Sequence, residues 1–246
     1  PLDANRILVT PYTQGLHLST DGGASFDKLS ISLSDNLDEL TQDPVNGQTL
    51  YAVEGTSVSR SLDFGTTWNP LGLTSTDTIK KIAIGSSAGR LLALDSWQIY
   101  QSTDFGANWV TVASVVPFAG TVFNAIAYAP SDSSRAYYGT TNGIMRSNNG
   151  GGTWFSPGSY SGNVQALAVH PTNPNTLFVA TSSGISRSVD GGATFVDVTT
   201  GVGAAYSIFL TWEGTRLWYG QIQNVAYTDD LGATWVDANA GLFMTP

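Results

Sequence analysis

Ser188-Val189-Asp190-Gly191-Gly192-Ala193-Thr194-Phe195 is the cleanest copy of a phrase that recurs six times along the chain. The other copies are residues 19–26 (STDGGASF), 61–68 (SLDFGTTW), 102–109 (STDFGANW), 147–154 (SNNGGGTW) and 228–235 (TDDLGATW). All six obey S/T-x-D/N-x-G-x-x-W/F, and successive copies start 40 to 45 residues apart. A period of that length predicts a stacked or closed array, in which one unit cannot bury its apolar face alone.

Each position in the phrase has a local physical use. Asp or Asn accepts hydrogen bonds from backbone N–H groups just ahead of it and closes a turn. The Gly two positions on takes φ > 0 without a Cβ clash. The Trp or Phe opens the next strand with a large apolar surface to bury. On this reading Asp21, Asp63, Asp104, Asn149, Asp190 and Asp230 each brace their own turn. Calcium or ligand sites are the competing use, but Asn149 supplies an acceptor without charge, which favours the brace. No metal and no cofactor is expected.

Between the phrases, four short strands and their turns can be laid out. The fifth repeat shows them best: residues 164–169 (VQALAV), 176–180 (TLFVA), 185–188 (ISRS) and 195–198 (FVDV), separated by turns rich in Gly, Pro and Asn. Such a run is a four-stranded antiparallel meander. The second, third, fourth and sixth repeats fit the same frame. No helical period of ten residues or more appears, so the chain reads as all-β. Residues 1–10 align with residues 171–180, so the first repeat begins after a missing first strand. Residues 241–246 (GLFMTP) are the candidate to supply it and to close the array, which removes exposed sheet edges.

Composition agrees. The chain has 246 residues, 41% of them hydrophobic and 12% charged, with 27 Gly and no Cys. All-β domains of this size are common as one unit, so residues 1–246 are expected to form a single domain. A net charge of -9 argues against a phosphate-tracking nucleic-acid binder or an anionic-membrane binder. The lack of Cys removes disulfides, thiolate zinc sites and a thiol nucleophile. There is no signal peptide and no transmembrane run, as in a mature chain or an excised domain. Sparse Lys and Arg among heavy Ser, Thr, Asn and Gly usage suggests an exported bacterial protein, extracellular, at the cell surface or periplasmic.

The repeated phrase resembles the Asp-box, or BNR repeat, of sialidases and many other β-propellers. The likeness covers nearly the whole chain. It implies a six-bladed β-propeller of four-stranded blades, closed by the C-terminal segment. The run ALAVHPTNPNTLFVATSSGISRSVDGGATF looks most like exported bacterial BNR proteins of sialidase-like fold. More distantly the chain resembles the photosystem II assembly factor family, which uses a basic patch absent here, and the sortilin-type propellers, which add a Cys-rich module. The motif is architectural and implies no single activity.

A sialidase would need three converging arginines to grip a carboxylate. Arg60, Arg146 and Arg187 all precede the Ser of the phrase, so they stand at equivalent places in three repeats and point apart. They are expected to be solvated strand-edge residues. Arg6 is followed by Ile7 and Leu8, without the sialidase F/Y-R-I-P phrase. A glycosidase needs two carboxyls at a set separation. Asp35, Asp38, Asp77 and Asp95 fall in loops, yet no pair is singled out, and turn formation accounts for them. Xyloglucanases resemble the repeat but use two propellers. His17 and His170 occupy unrelated repeat positions and do not suggest a shared metal.

Recognition is the remaining role. Propellers bind on the face built by the loops between strands two and three and between blades. In those loops Tyr12, Gln14, Trp97, Gln98, Phe118, Tyr160 and Gln223 are the candidate contacts, since exposed aromatics are enriched at recognition sites. The expected function is a non-catalytic binding or scaffolding module with a protein partner, or a glycan in the competing lectin-like or glycosidase reading. No nucleic acid and no membrane insertion are expected, although docking on a membrane-associated complex is compatible with the chain.

Overall fold

The computed structural model of the chain describes residues 5–11, 13–87, 89–114, 121–199, 207–221 and 224–239. Among them there is no helix, and 22 strands form six antiparallel sheets in chain order. Contacts divide the chain into two compact units, Pro1–Thr111 and Val112–Pro246.

Sheet one contains β1 (Ile7–Val9), β2 (His17–Ser19) and β3 (Asp27–Lys28). Sheet two contains β4 (Glu39–Gln42), β5 (Leu50–Glu54), β6 (Ser57–Ser61) and β7 (Asn69–Pro70). Sheet three contains β8 (Lys81–Ile84), β9 (Leu91–Leu94), β10 (Gln98–Ser102) and β11 (Val110–Ser114). Sheet four contains β12 (Phe123–Ala129), β13 (Asp132–Thr140) and β14 (Gly143–Ser147). Sheet five contains β15 (Ala166–Val169), β16 (Leu177–Thr181), β17 (Gly184–Ser188) and β18 (Val196–Asp197). Sheet six contains β19 (Ser207–Glu213), β20 (Arg216–Gln221), β21 (Asn224–Thr228) and β22 (Val236–Asp237). Strands within each sheet neighbour one another in sequence order, the meander that the turn spacing implies.

Two sheets have three strands among the described residues. The strand expected to complete sheet one, residues 241–246, lies outside them. In sheet four the expected fourth strand at residues 153–155 shrinks to one bridge, Arg146 to Phe155. Pro157 follows at once and has no N–H to extend a ladder. β13 begins earlier than the sequence indicates, because a register shift between Tyr128 and Ala129 lets Asp132 pair with Ala129.

Strand alternation explains the packing. Successive side chains point to opposite faces. In β5, Leu50 and Ala52 pack with Leu16 and Trp68, while Tyr51 and Val53 pack with Ile79, Ile82 and Leu91 of the following sheet. In β16, Leu177 and Val179 pack against sheet four, with Tyr137 and Ile144, while Phe178 and Ala180 pack against sheet six, with Leu217 and Tyr219. Both faces of these strands are buried, so they read as continuous apolar runs. Sheets also approach closely at Gly139, where an added Cβ would sit 2.3 Å from Cγ1 of Val164.

Candidate functional site

The repeated turn has one hydrogen-bond pattern in all six copies. In sheet five, the Ser188 hydroxyl donates to Asp190 Oδ1 at 2.8 Å, and the Gly192 N–H donates to Ser188 Oγ at 2.8 Å. The Thr194 N–H donates to Asp190 Oδ1 at 2.9 Å, and its hydroxyl donates to Oδ2 at 2.6 Å. Hydrogen bonds from Thr194, backbone N–H groups and Ser188 favour the ionised form and hold the Asp190 carboxyl down to about 2. Asp104 and Asp230 are held at about 2 in the same way, chiefly by Asn108 and Thr234. Asn149 keeps the bonds to Oδ1, and its Nδ2 donates to the Thr153 hydroxyl at 3.0 Å. Both oxygens of each described turn carboxylate therefore act within their own turn.

The residue after the Asp is also left-handed. It is Gly at 22, 150 and 191, but Phe64, Phe105 and Leu231 adopt φ of 57° to 60° there. The phrase leaves this position open as x, so its constraint is not visible in the sequence pattern.

Arg60, Arg146 and Arg187 are not the solvated edge residues that their position suggests. Each is half-buried and reaches into the following repeat. Arg60 Nη1 donates to the Phe105 carbonyl at 3.1 Å, Arg146 Nη1 to the Gly191 carbonyl at 2.9 Å, and Arg187 Nη1 to the Leu231 carbonyl at 2.7 Å. The acceptor is each time the left-handed residue after the turn Asp or its Gly equivalent, whose carbonyl is turned outward toward the preceding sheet. Each arginine is committed to a different turn.

The loop carboxylates are all engaged, Asp77 and Asp95 within their own turns and Asp35 and Asp38 with more distant partners. Asp35 pairs with Lys28 at 2.8 Å, Asp38 Oδ2 accepts from the Gly55 N–H at 2.7 Å, and Asp77 Oδ1 accepts from the Thr78 N–H at 2.8 Å. Asp95 is 1% exposed and takes four bonds. Oδ1 accepts from the N–H groups of Trp97 at 2.7 Å and Gln98 at 2.6 Å, and Oδ2 accepts from the hydroxyls of Ser75 and Tyr100, both at 2.8 Å. Glu39 is half-buried, and desolvation raises its carboxyl despite Lys81 at 3.3 Å and the Ile82 N–H at 2.7 Å. Among the described residues no three His, Cys, Asp or Glu side chains stand together as metal ligands. His170 Nδ1 accepts from the N–H groups of Thr172 and Asn173 at 3.2 and 3.3 Å, a turn role.

Of the seven candidate contacts, Tyr12, Phe118 and Gln223 lie outside the described residues. Gln14 is exposed, with its N–H bonded to the Pro11 carbonyl at 3.1 Å. Trp97 is 41% exposed at the loop between β9 and β10. The side-chain amide of its neighbour Gln98 lies 2.7 Å from the Tyr100 hydroxyl. Tyr160 is half-buried, its ring 4.4 Å from that of Phe195, and burial raises its hydroxyl. Tyr160 borders a cleft of about 390 Å³ that the sequence did not reveal, between the loops at residues 159–163 and 181–184, with Ser186, Asp197 and Thr199 in its lining. In the sequence, residues 181–184 read only as a turn, and Tyr160 reads as a candidate contact without a cleft beside it. The Thr199 N–H donates to Asp197 Oδ1 at 2.8 Å, and the Ile185 N–H donates to Thr199 Oγ1 at 3.0 Å, which sets one wall. Asp237 and Asn239 repeat this brace in sheet six.

The arrangement of antiparallel sheets is matched in solved structures. The fold is a β-propeller. The chain is similar to an ancestral GH74 enzyme, with a TM-score of 0.72 and 15% identity over 92% of this chain and 35% of that one. It is similar to YCF48 from Cyanidioschyzon merolae, with a TM-score of 0.69 and 14% identity over 97% of this chain and 82% of that one. YCF48 bound to D1 peptide gives a TM-score of 0.68 and 16% identity, over 97% and 78%. The propeller thus spans about a third of the GH74 enzyme's length. No protein-family model matches the sequence, and no curated protein matches it. At these identities the likeness establishes the propeller fold. No helix among the described residues is long and apolar enough to cross a membrane.

Proposed function

We propose that the chain is a non-catalytic binding propeller that engages a protein partner through its loop face. Residues 1–246 act as one domain of the Asp-box class in an exported protein or complex, extracellular, at the cell surface or periplasmic. The observation that carries this reading is the mounting of Trp97. An exposed indole stands on a loop whose backbone is locked by the buried Asp95, which itself is fixed by Tyr100 and Ser75. A large aromatic carried on a fixed backbone loses less freedom on contact than one on a mobile loop, a property of an interface anchor. The commitment of Asp35, Asp38, Asp77 and Asp95 to internal bonds supports binding over hydrolysis, which needs a free carboxyl pair. YCF48, of the same fold, is solved with a bound peptide, which supports a protein ligand. The turn geometry, with its Ser–Asp–Gly–Thr bonding, supports the Asp-box assignment.

A photo-crosslinking amino acid at position 97, compared with one at the exposed Val189 on the turn side, tests this in extracts of the source cells. A discrete protein adduct from position 97 alone is expected. The same adducts from both positions, or none from position 97, overturns the proposal.

A further inference from the structure

The cleft beside Tyr160 has a chemical bias that the protein-partner reading does not use. Its lining holds no Lys, Arg or His, and Asp197 is its one carboxylate. The hydroxyls of Ser159, Ser161, Ser182 and Ser183 border it without a hydrogen bond to another described residue. Asp197 engages Thr199 through Oδ1 alone, leaving Oδ2 available. Asn163 accepts from Asn124 through Oδ1 at 3.0 Å, leaving its Nδ2 donors available.

These features narrow the ligand. A hydroxyl donates and accepts, so a wall of them suits a ligand whose own groups do both. An anion would meet a carboxylate and no cation. A large apolar ligand would strip water from the serines and return nothing, which is unfavourable for each buried hydroxyl. A volume near 390 Å³ stands at the small end of ligand sites, which run from about 300 to 1,000 Å³. A single carboxylate cannot provide the acid and base pair of glycoside hydrolysis.

We infer that this cleft binds a neutral saccharide of one or two rings without cleaving it. Asp197 Oδ2 and Asn163 Nδ2 bond sugar hydroxyls, the serines complete the polar wall, and the Tyr160 ring meets the C–H face of the sugar. The site is independent of Trp97, so either assignment can fail while the other stands.

Saturation-transfer NMR on the full chain, with cellobiose, lactose and maltose as probes, tests the inference. Saturation of at least one disaccharide is expected. Ser182→Arg places a long side chain at the cleft mouth on an exposed loop position, and binding becomes weaker by about tenfold or more. Asp197→Asn keeps the acceptor for Thr199 but not the charge, and also weakens binding. Trp97→Ala leaves it unchanged. The inference is overturned if none of the three sugars is saturated by the wild-type chain, or if a Ser182→Arg protein with wild-type circular dichroism binds equally well.

Discussion

Arg146 leaves its own sheet and donates from Nη1 to the backbone carbonyl of Gly191, 2.9 Å away in the turn of the next blade. Its guanidinium also lies 4.9 Å from the ring centre of Phe155, the one residue bridging the outer edge of its blade. One side chain thus joins the outer edge of one blade to the turn of another. Arg146→Met keeps much of the stem's packing and removes the charged donor. The expected loss is about 1.5–3 kcal/mol, the range for hydrogen bonds to charged groups, read from urea unfolding. An unchanged midpoint would show that the clamp is incidental.

Asp190→Ala removes the acceptors of its turn and is expected to destabilise the chain by about 1 kcal/mol, as loss of a helix-capping side chain does. Asp190→Asn should cost less than Asp190→Ala at pH 7, because Asn149 holds the equivalent turn in blade four without a charge. The two substitutions separate hydrogen bonding from charge.

The turn carboxylates also set an acid limit. Asp104, Asp190 and Asp230 are held near 2 in the fold against an ordinary value of 3.8. Depressed folded values contribute stability that is fully present above pH 4 and declines as pH falls toward 2. Urea midpoints at pH 7, 4 and 2 should therefore drop mainly across the last interval. The drop should be smaller in Asp190→Asn.

His170 acts in the opposite part of the pH scale. Burial lowers its value from 6.5, and Nδ1 must stay unprotonated to accept from Thr172 and Asn173. Its contribution is present above pH 6.5 and falls as pH drops below that, because the unfolded chain takes the proton more readily. The stability difference between wild type and His170→Asn should shrink between pH 7.5 and 5. A constant difference would exclude this role.

Gly139→Ala tests the closeness of neighbouring sheets. The new methyl meets the fully buried Val164 at 2.3 Å. Overpacking of that kind typically destabilises by about 1–3 kcal/mol. Adding Val164→Ala should return part of the loss if the clash is its source.

The sequence exposed those features whose cause lies within a few residues. Ser188, Asp190, Gly192 and Thr194 form their turn by bonds that reach at most four positions, so a spaced phrase records them. The strands Glu39–Gln42, Ser57–Ser61, Lys81–Ile84 and Gln98–Ser102 were legible because alternation and turn residues bound them on both sides. The arginine clamps were not, since their acceptors are carbonyls, which every residue has. The cleft was also hidden. Ser159, Ser161, Ser182 and Ser183 are ordinary loop residues, and only the fold brings them to face one another. Trp97 was legible as a candidate, but the buried Asp95 beneath it resembled any other loop Asp until its four bonds were visible.

The clamps have a direction. Arg60, Arg146 and Arg187 each reach 44 or 45 residues toward the C-terminus and never back. During synthesis, when domains fold from the N-terminal end, an arginine leaves the ribosome before its acceptor exists. A blade that has formed its own hydrogen bonds therefore waits, with one cation unspoken for, until the next turn is made. The third, fifth and sixth blades each fasten the one before, and a chain stopped before residue 231 would leave Arg187 without the carbonyl it holds in the finished fold.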